Sequence, residues 1–152
     1  MSVVPIREVR PTPRPIVTIS GTNQPLIGSH LMRGDTHRLN IRYRAASGLT
    51  SATLKFTAKS AIDTPDGDAE ISKASPAGIV VDTTASTDNL LVAQIVLQPA
   101  DTNTIPIPAD IAPAKLKLYF DLQLTLSSGD VRTIVGPVND AHFYLVSDVT
   151  QV

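Results

Sequence analysis

Strict alternation of apolar and polar residues runs from Lys115 to Leu126 (KLKLYFDLQLTL). Leu116, Leu118, Phe120, Leu122, Leu124 and Leu126 fall on one side. Lys115, Lys117, Tyr119, Asp121, Gln123 and Thr125 fall on the other. Successive side chains of a strand point to opposite sheet faces, so this period predicts a long strand with one buried face. Ser127-Ser128-Gly129-Asp130 supplies turn chemistry, and Val131 to Val135 begins the return strand of a β-hairpin. The same period recurs at His37–Arg44, where Leu39, Ile41 and Tyr43 face one way and Arg38, Asn40, Arg42 and Arg44 the other. It recurs again from Ala52 to Lys59.

Shorter strands are predicted at Ile16–Ile19, Ala69–Lys73, Gly78–Asp82 and about Ala141–Val146. Leu90–Leu97 (LLVAQIVL) is apolar on both faces apart from Gln94, the pattern of a central strand covered on both sides. Gly21–Ser29 reads as a loop, with His30 in a loop as well. Pro99-Ala100-Asp101-Thr102 reads as a single helical turn or tight turn, and no segment has a sustained helical period. Seven to nine short strands joined by Gly- and Pro-rich turns indicate an all-β, antiparallel β-sandwich, with a closed barrel as the structural alternative.

Composition adds limits. A domain of 152 residues buries roughly 70% of the surface its unfolded chain exposes, so it folds without a metal or disulfide staple. The absence of cysteine removes thiolate zinc sites and cysteine nucleophiles. The first residues lack an apolar core of signal-peptide length, and no apolar run approaches a spanning helix. Cytosolic synthesis and no membrane partner are therefore expected.

Residues 1–20 differ from the rest. Pro5, Pro11, Pro13 and Pro15 fix φ and remove amide donors, so Arg10–Pro15 should be extended. Fully extended, the 20 residues reach about 60–70 Å, well beyond their own domain. The expected organisation is an extended arm at 1–20 and a sandwich at 21–152. The arm lacks P-x-x-P spacing at 11–15, which argues against an SH3-type ligand. Residues 1–44 carry seven arginines against Glu8 and Asp35. Residues 45–152 carry six basic residues against twelve acids. That asymmetry suggests the basic end of one copy meeting the acidic body of another.

Candidate chemistry is sparse. His30, His37 and His142 lack metal-site spacing, and no G-x-S-x-G elbow is present. Asp63, Asp66, Asp68 and Glu70 miss the EF-hand register, because Pro65 and Gly67 occupy ligand positions. Arg33-Gly34-Asp35 reads as a turn. The basic face of Arg38–Arg44 lacks aromatic stacking partners, which argues against direct nucleic-acid binding. No catalytic residue, metal or cofactor is expected.

Eight pieces in order carry a resemblance. They are Arg33-Gly34-Asp35-Thr36, Leu49-Thr50-Ser51-Ala52-Thr53, Gly78-Ile79, Pro99-Ala100-Asp101-Thr102 and Phe120-Asp121-Leu122-Gln123-Leu124-Thr125. Ser128-Gly129-Asp130, Thr133-Ile134-Val135-Gly136 and Asp148-Val149-Thr150 complete the series. Over roughly residues 30–150 the chain resembles small immunoglobulin-like structural proteins of tailed-bacteriophage virions. These are similar to upper baseplate protein amino-terminal domains and to head and tail accessory proteins. Phe120 stands where that pattern often has tyrosine, and the proline-rich stretch around Ile105–Ala114 lengthens a loop.

The resemblance implies an immunoglobulin-like sandwich and a non-enzymatic role in the virion, assembled in the host cytoplasm. The role would be in the tail or baseplate, or as a capsid-decorating cement protein. Expected partners are other virion proteins and copies of the chain in a symmetric homo-oligomer. The expected contacts are Pro5, Arg7, Arg10, Pro11, Pro13, Arg14 and Pro15 of the arm, and Ile105, Pro106, Ile107 and Pro108 of the loop. The alternative expectation is a carbohydrate- or host-surface-binding module using the outward Tyr119 and Tyr144.

Overall fold

A computed structural model describes residues 16–108, 114–136 and 140–147. Its strands, in chain order, are β1 (Ile16–Ile19), β2 (His30–Met32), β3 (His37–Arg44), β4 (Thr53–Lys59) and β5 (Ile71–Ala74). β6 (Ile79–Val81), β7 (Leu90–Leu97), β8 (Lys115–Thr125), β9 (Val131–Val135) and β10 (His142–Val146) follow. One helical turn, α1 (Pro99–Thr102), sits between β7 and β8. One sheet has the order β1-β3-β7-β6. The other runs β2-β10-β8-β4-β5, with β9 also paired to β8. The all-β expectation holds, and the two sheets close over one core.

Strand period decides which residues fill that core. Leu39, Ile41 and Tyr43 of β3 and Leu91, Ala93, Ile95 and Leu97 of β7 are buried from one side. Leu118, Phe120, Leu122 and Leu124 of β8 are buried from the other. Phe56, Phe120 and Phe143, on the adjacent strands β4, β8 and β10, form an aromatic spine with ring centroids 5.7 and 6.0 Å apart. The predicted hairpin is present. Leu126 N–H donates to the Asp130 carbonyl at 2.8 Å, and Gly129 takes φ +93°, a conformation that favours glycine.

Several expectations need correction. The described residues contain ten strands, above the expected seven to nine, because β2 was read as loop. Three residues are too few to show a period. β2 also pairs in parallel with β10, so the sandwich is not wholly antiparallel. The arm was drawn to residue 20, yet β1 pairs with β3 from Ile16↔Arg42 to Ile19↔Leu39 and belongs to the sandwich. β7 lies inside its sheet, and among the described residues its inner side is buried while Leu90, Val92, Gln94 and Val96 on the outer side are half-buried.

Candidate interaction surfaces

The expected loop contact divides into two parts. Ile105 is buried at 3% exposure, so its side chain serves the core and is not open to a partner. Ile107 is half-buried against that core, whereas Pro106 and Pro108 are exposed. The loop is pinned at its start. Thr102, fully buried, accepts the Gly34 N–H on Oγ1 at 2.9 Å, and its carbonyl accepts the Ile105 N–H at 3.1 Å. Arg33 Nη1 donates to the Ile105 carbonyl at 3.0 Å. Asp101 accepts the Gln98 N–H and pairs with Lys73 Nζ at 2.8 Å. The R-G-D-T and P-A-D-T pieces thus meet in space as a structural clamp. Arg33 is held within it through Nη1. Pro5, Arg7, Arg10, Pro11, Pro13, Arg14 and Pro15 lie outside the described residues.

The outer face of the β1-β3-β7-β6 sheet mixes arginine with aliphatic side chains. Arg38, Arg42 and Arg44 are exposed along β3. Leu90, Val92 and Val96 stand across from them on β7, and Val80 of β6 is 58% exposed. A shallow depression of about 510 Å³ runs between Arg38, Asn40, Val80, Asp82, Val92 and Val96. Gln94 stiffens its floor, donating to Asn40 Oδ1 at 2.9 Å and accepting from Arg38 at 3.4 Å. A second cleft of about 330 Å³ at one end of the sandwich is lined by Leu49, Thr50, Ala52, Val81 and the hydroxyls of Thr83, Ser86 and Thr87.

On the outer face of the other sheet, two of the three histidines converge. His30 stacks on Tyr144 with centroids 5.0 Å apart, and His142 meets the edge of the same ring at 5.5 Å. Lys115 Nζ lies 4.6 Å from the Tyr144 centroid, and Lys117 Nζ lies 5.0 Å from that of Tyr119. Sequence reasoning missed this cluster because β2, which carries His30, was not recognised as a strand. Each tyrosine of the alternative carbohydrate reading thus carries a lysine ammonium over its ring. His37 serves a different end, with Nε2 2.8 Å from the Met32 carbonyl oxygen.

Asp63, Asp68 and Glu70 sit in a loop folded by its own backbone, including Asp68 N–H to the Pro65 carbonyl at 2.9 Å. No group of three His, Asp or Glu side chains among the described residues has the geometry to hold a metal ion. No helix among them is long and apolar enough to cross a membrane. No protein-family model matches the chain, and neither does any curated protein.

Proposed function

We propose that this chain is a non-enzymatic structural component of a tailed-phage virion, in a tail, baseplate or capsid-decorating position. It docks to neighbouring subunits through the faces of an immunoglobulin-like sandwich and through its amino-terminal arm. The strand orders β1-β3-β7-β6 and β2-β10-β8-β4-β5 support the immunoglobulin-like assignment. The first order parallels the four-strand ABED sheet of that architecture, and β10-β8-β4 parallels its GFC sheet, with β2, β5 and β9 additional.

The observation that carries the docking role is the outer face of β7. A strand with Leu90, Val92 and Val96 outward, beside exposed Arg38, Arg42 and Arg44, has the composition of an interface rather than of a solvated surface. β9 adds an open edge: among the described residues it pairs only with β8, and Val131 is 62% exposed. Such an edge accepts an extended segment by strand addition.

Two measurements test the reading. Antibody against the chain should label intact particles at one location, and Val92→Glu should leave the soluble domain folded while removing it from particles. Antigen confined to the soluble fraction, or normal incorporation of Val92→Glu, would overturn the proposal.

A further inference from the structure

Lys115 and Lys117 of β8 are placed for a carboxylate-bearing partner. Lys115 and Lys117 sit on the outward side of β8, and among the described residues their ammonium groups rest on the Tyr144 and Tyr119 rings. Val146 and Met32 lie beside them on the same face, paired across β10 and β2, and are half-buried. The nearby Asp121 is already committed, accepting the Thr57 hydroxyl at 2.7 Å. Asp140 stands at the rim, 3.4 Å from His142 Nδ1. The covered tyrosine rings disfavour a stacking ligand, whether base or sugar. The chemistry left is an acidic polypeptide with an apolar anchor.

The chain carries such an element. The loop after β4 exposes Ile62 at 59%, flanked by the exposed Asp63 and followed by the exposed Asp68. Backbone bonds from Thr64 N–H to the Ala61 carbonyl and from Glu70 N–H to the Ala58 carbonyl hold it in shape, so little ordering entropy opposes docking. Lys59 pairs with Tyr119, so the loop leaves the sheet at the end where β8 begins. The acid-rich loop, leaving β4, and the lysines of β8 therefore share one end of the sheet, with Val146 of β10 on the side of β8 away from the loop. A two-fold axis there lets each copy offer its loop to the other's lysines, giving two equivalent contacts.

We propose that the chain pairs with a second copy of itself through this end of the six-stranded sheet. Ile62 of each copy seats beside Met32 and Val146 of the other, with Asp63 and Asp68 against Lys115 and Lys117. The pairing rests on the reading of the chain as an assembling subunit, and names one of its neighbours.

Sedimentation of the purified full chain tests it. The wild type should dimerise, and high salt should weaken the dimer. Lys115→Glu with Lys117→Glu, and separately Asp63→Lys with Asp68→Lys, should each weaken it about tenfold or more. The quadruple variant should restore it. A monomeric wild type, dimers indifferent to either charge reversal, or a quadruple variant that fails to re-associate while melting normally would each overturn the pairing. Particle labelling is scored separately: a labelled virion with a monomeric free chain sinks the pairing alone.

Discussion

Asp88 lies in no recognised motif, yet it joins two turns at one end of the sandwich. Its Oδ1 accepts the Thr50 N–H at 3.2 Å, and its carbonyl accepts the Leu49 N–H at 3.0 Å. The Thr50 hydroxyl, then the Thr50 and Gly48 amides, hold its carboxyl below the ordinary aspartate range. These donors favour the charged form. A folded-state pKa below the unfolded value gives stability that is present above about pH 3.9 and lost as pH falls through the lowered pKa. Asp88→Asn should therefore be less stable than the wild type at neutral pH. The gap in urea midpoint should narrow in strongly acidic buffer, and a gap independent of pH would rule the linkage out. Such links are not readable from the chain, because Asp88 and Thr50 are 38 positions apart. By contrast, Phe120 could be assigned to the core from its neighbours alone, since its alternation is local.

At the scale of elements, legibility followed length and local chemistry. β8 declares itself over eleven residues, and α1 through Pro99 after β7. β2 spans three residues, and its parallel partner β10 lies more than a hundred positions away, so no local pattern marks it. β7 misled for another reason. Apolar residues on both sides of a strand indicate cover on both sides, and among the described residues the outer side of β7 is only half-buried. The clamp at α1 is similarly non-local, with Thr102 accepting an N–H from 68 positions earlier. Thr102→Val keeps the shape but removes the acceptor, leaving the Gly34 N–H partly buried and unpaired. The expected cost is about 1–3 kcal/mol in chemical denaturation. Thr102→Ser should recover most of it, because the hydroxyl remains. A Thr102→Val midpoint equal to that of the wild type would remove this hydrogen bond from the account of stability.

For the molecule as a whole, the arm and the sandwich meet at Ile16, and that junction determines how the arm must be tested. β1 pairs with β3 along four residues. Ile19 N–H and Leu26 N–H close its other side, donating to the Gln24 and Val17 carbonyls at 2.8 and 3.0 Å. Val17 and Ile19 pack against the core, and Leu26 is fully buried behind them. Removing residues 1–20 would therefore strip an edge strand as well as the arm. It would bare the hydrogen-bonding edge of β3 and expose Leu26, at about 2–4 kcal/mol, with an added risk of edge-to-edge aggregation. Loss of particle incorporation in that deletion would say nothing specific about the arm. Removing residues 1–15 leaves β1 complete. The shorter deletion should melt within a few degrees of the full chain and stay soluble, yet, on the proposed virion role, fail to enter particles, whereas the longer one should melt well below both. Normal incorporation of the 1–15 deletion would remove the arm from the assembly mechanism and leave the arginine-lined face of β3 and β7 to hold the subunit in place.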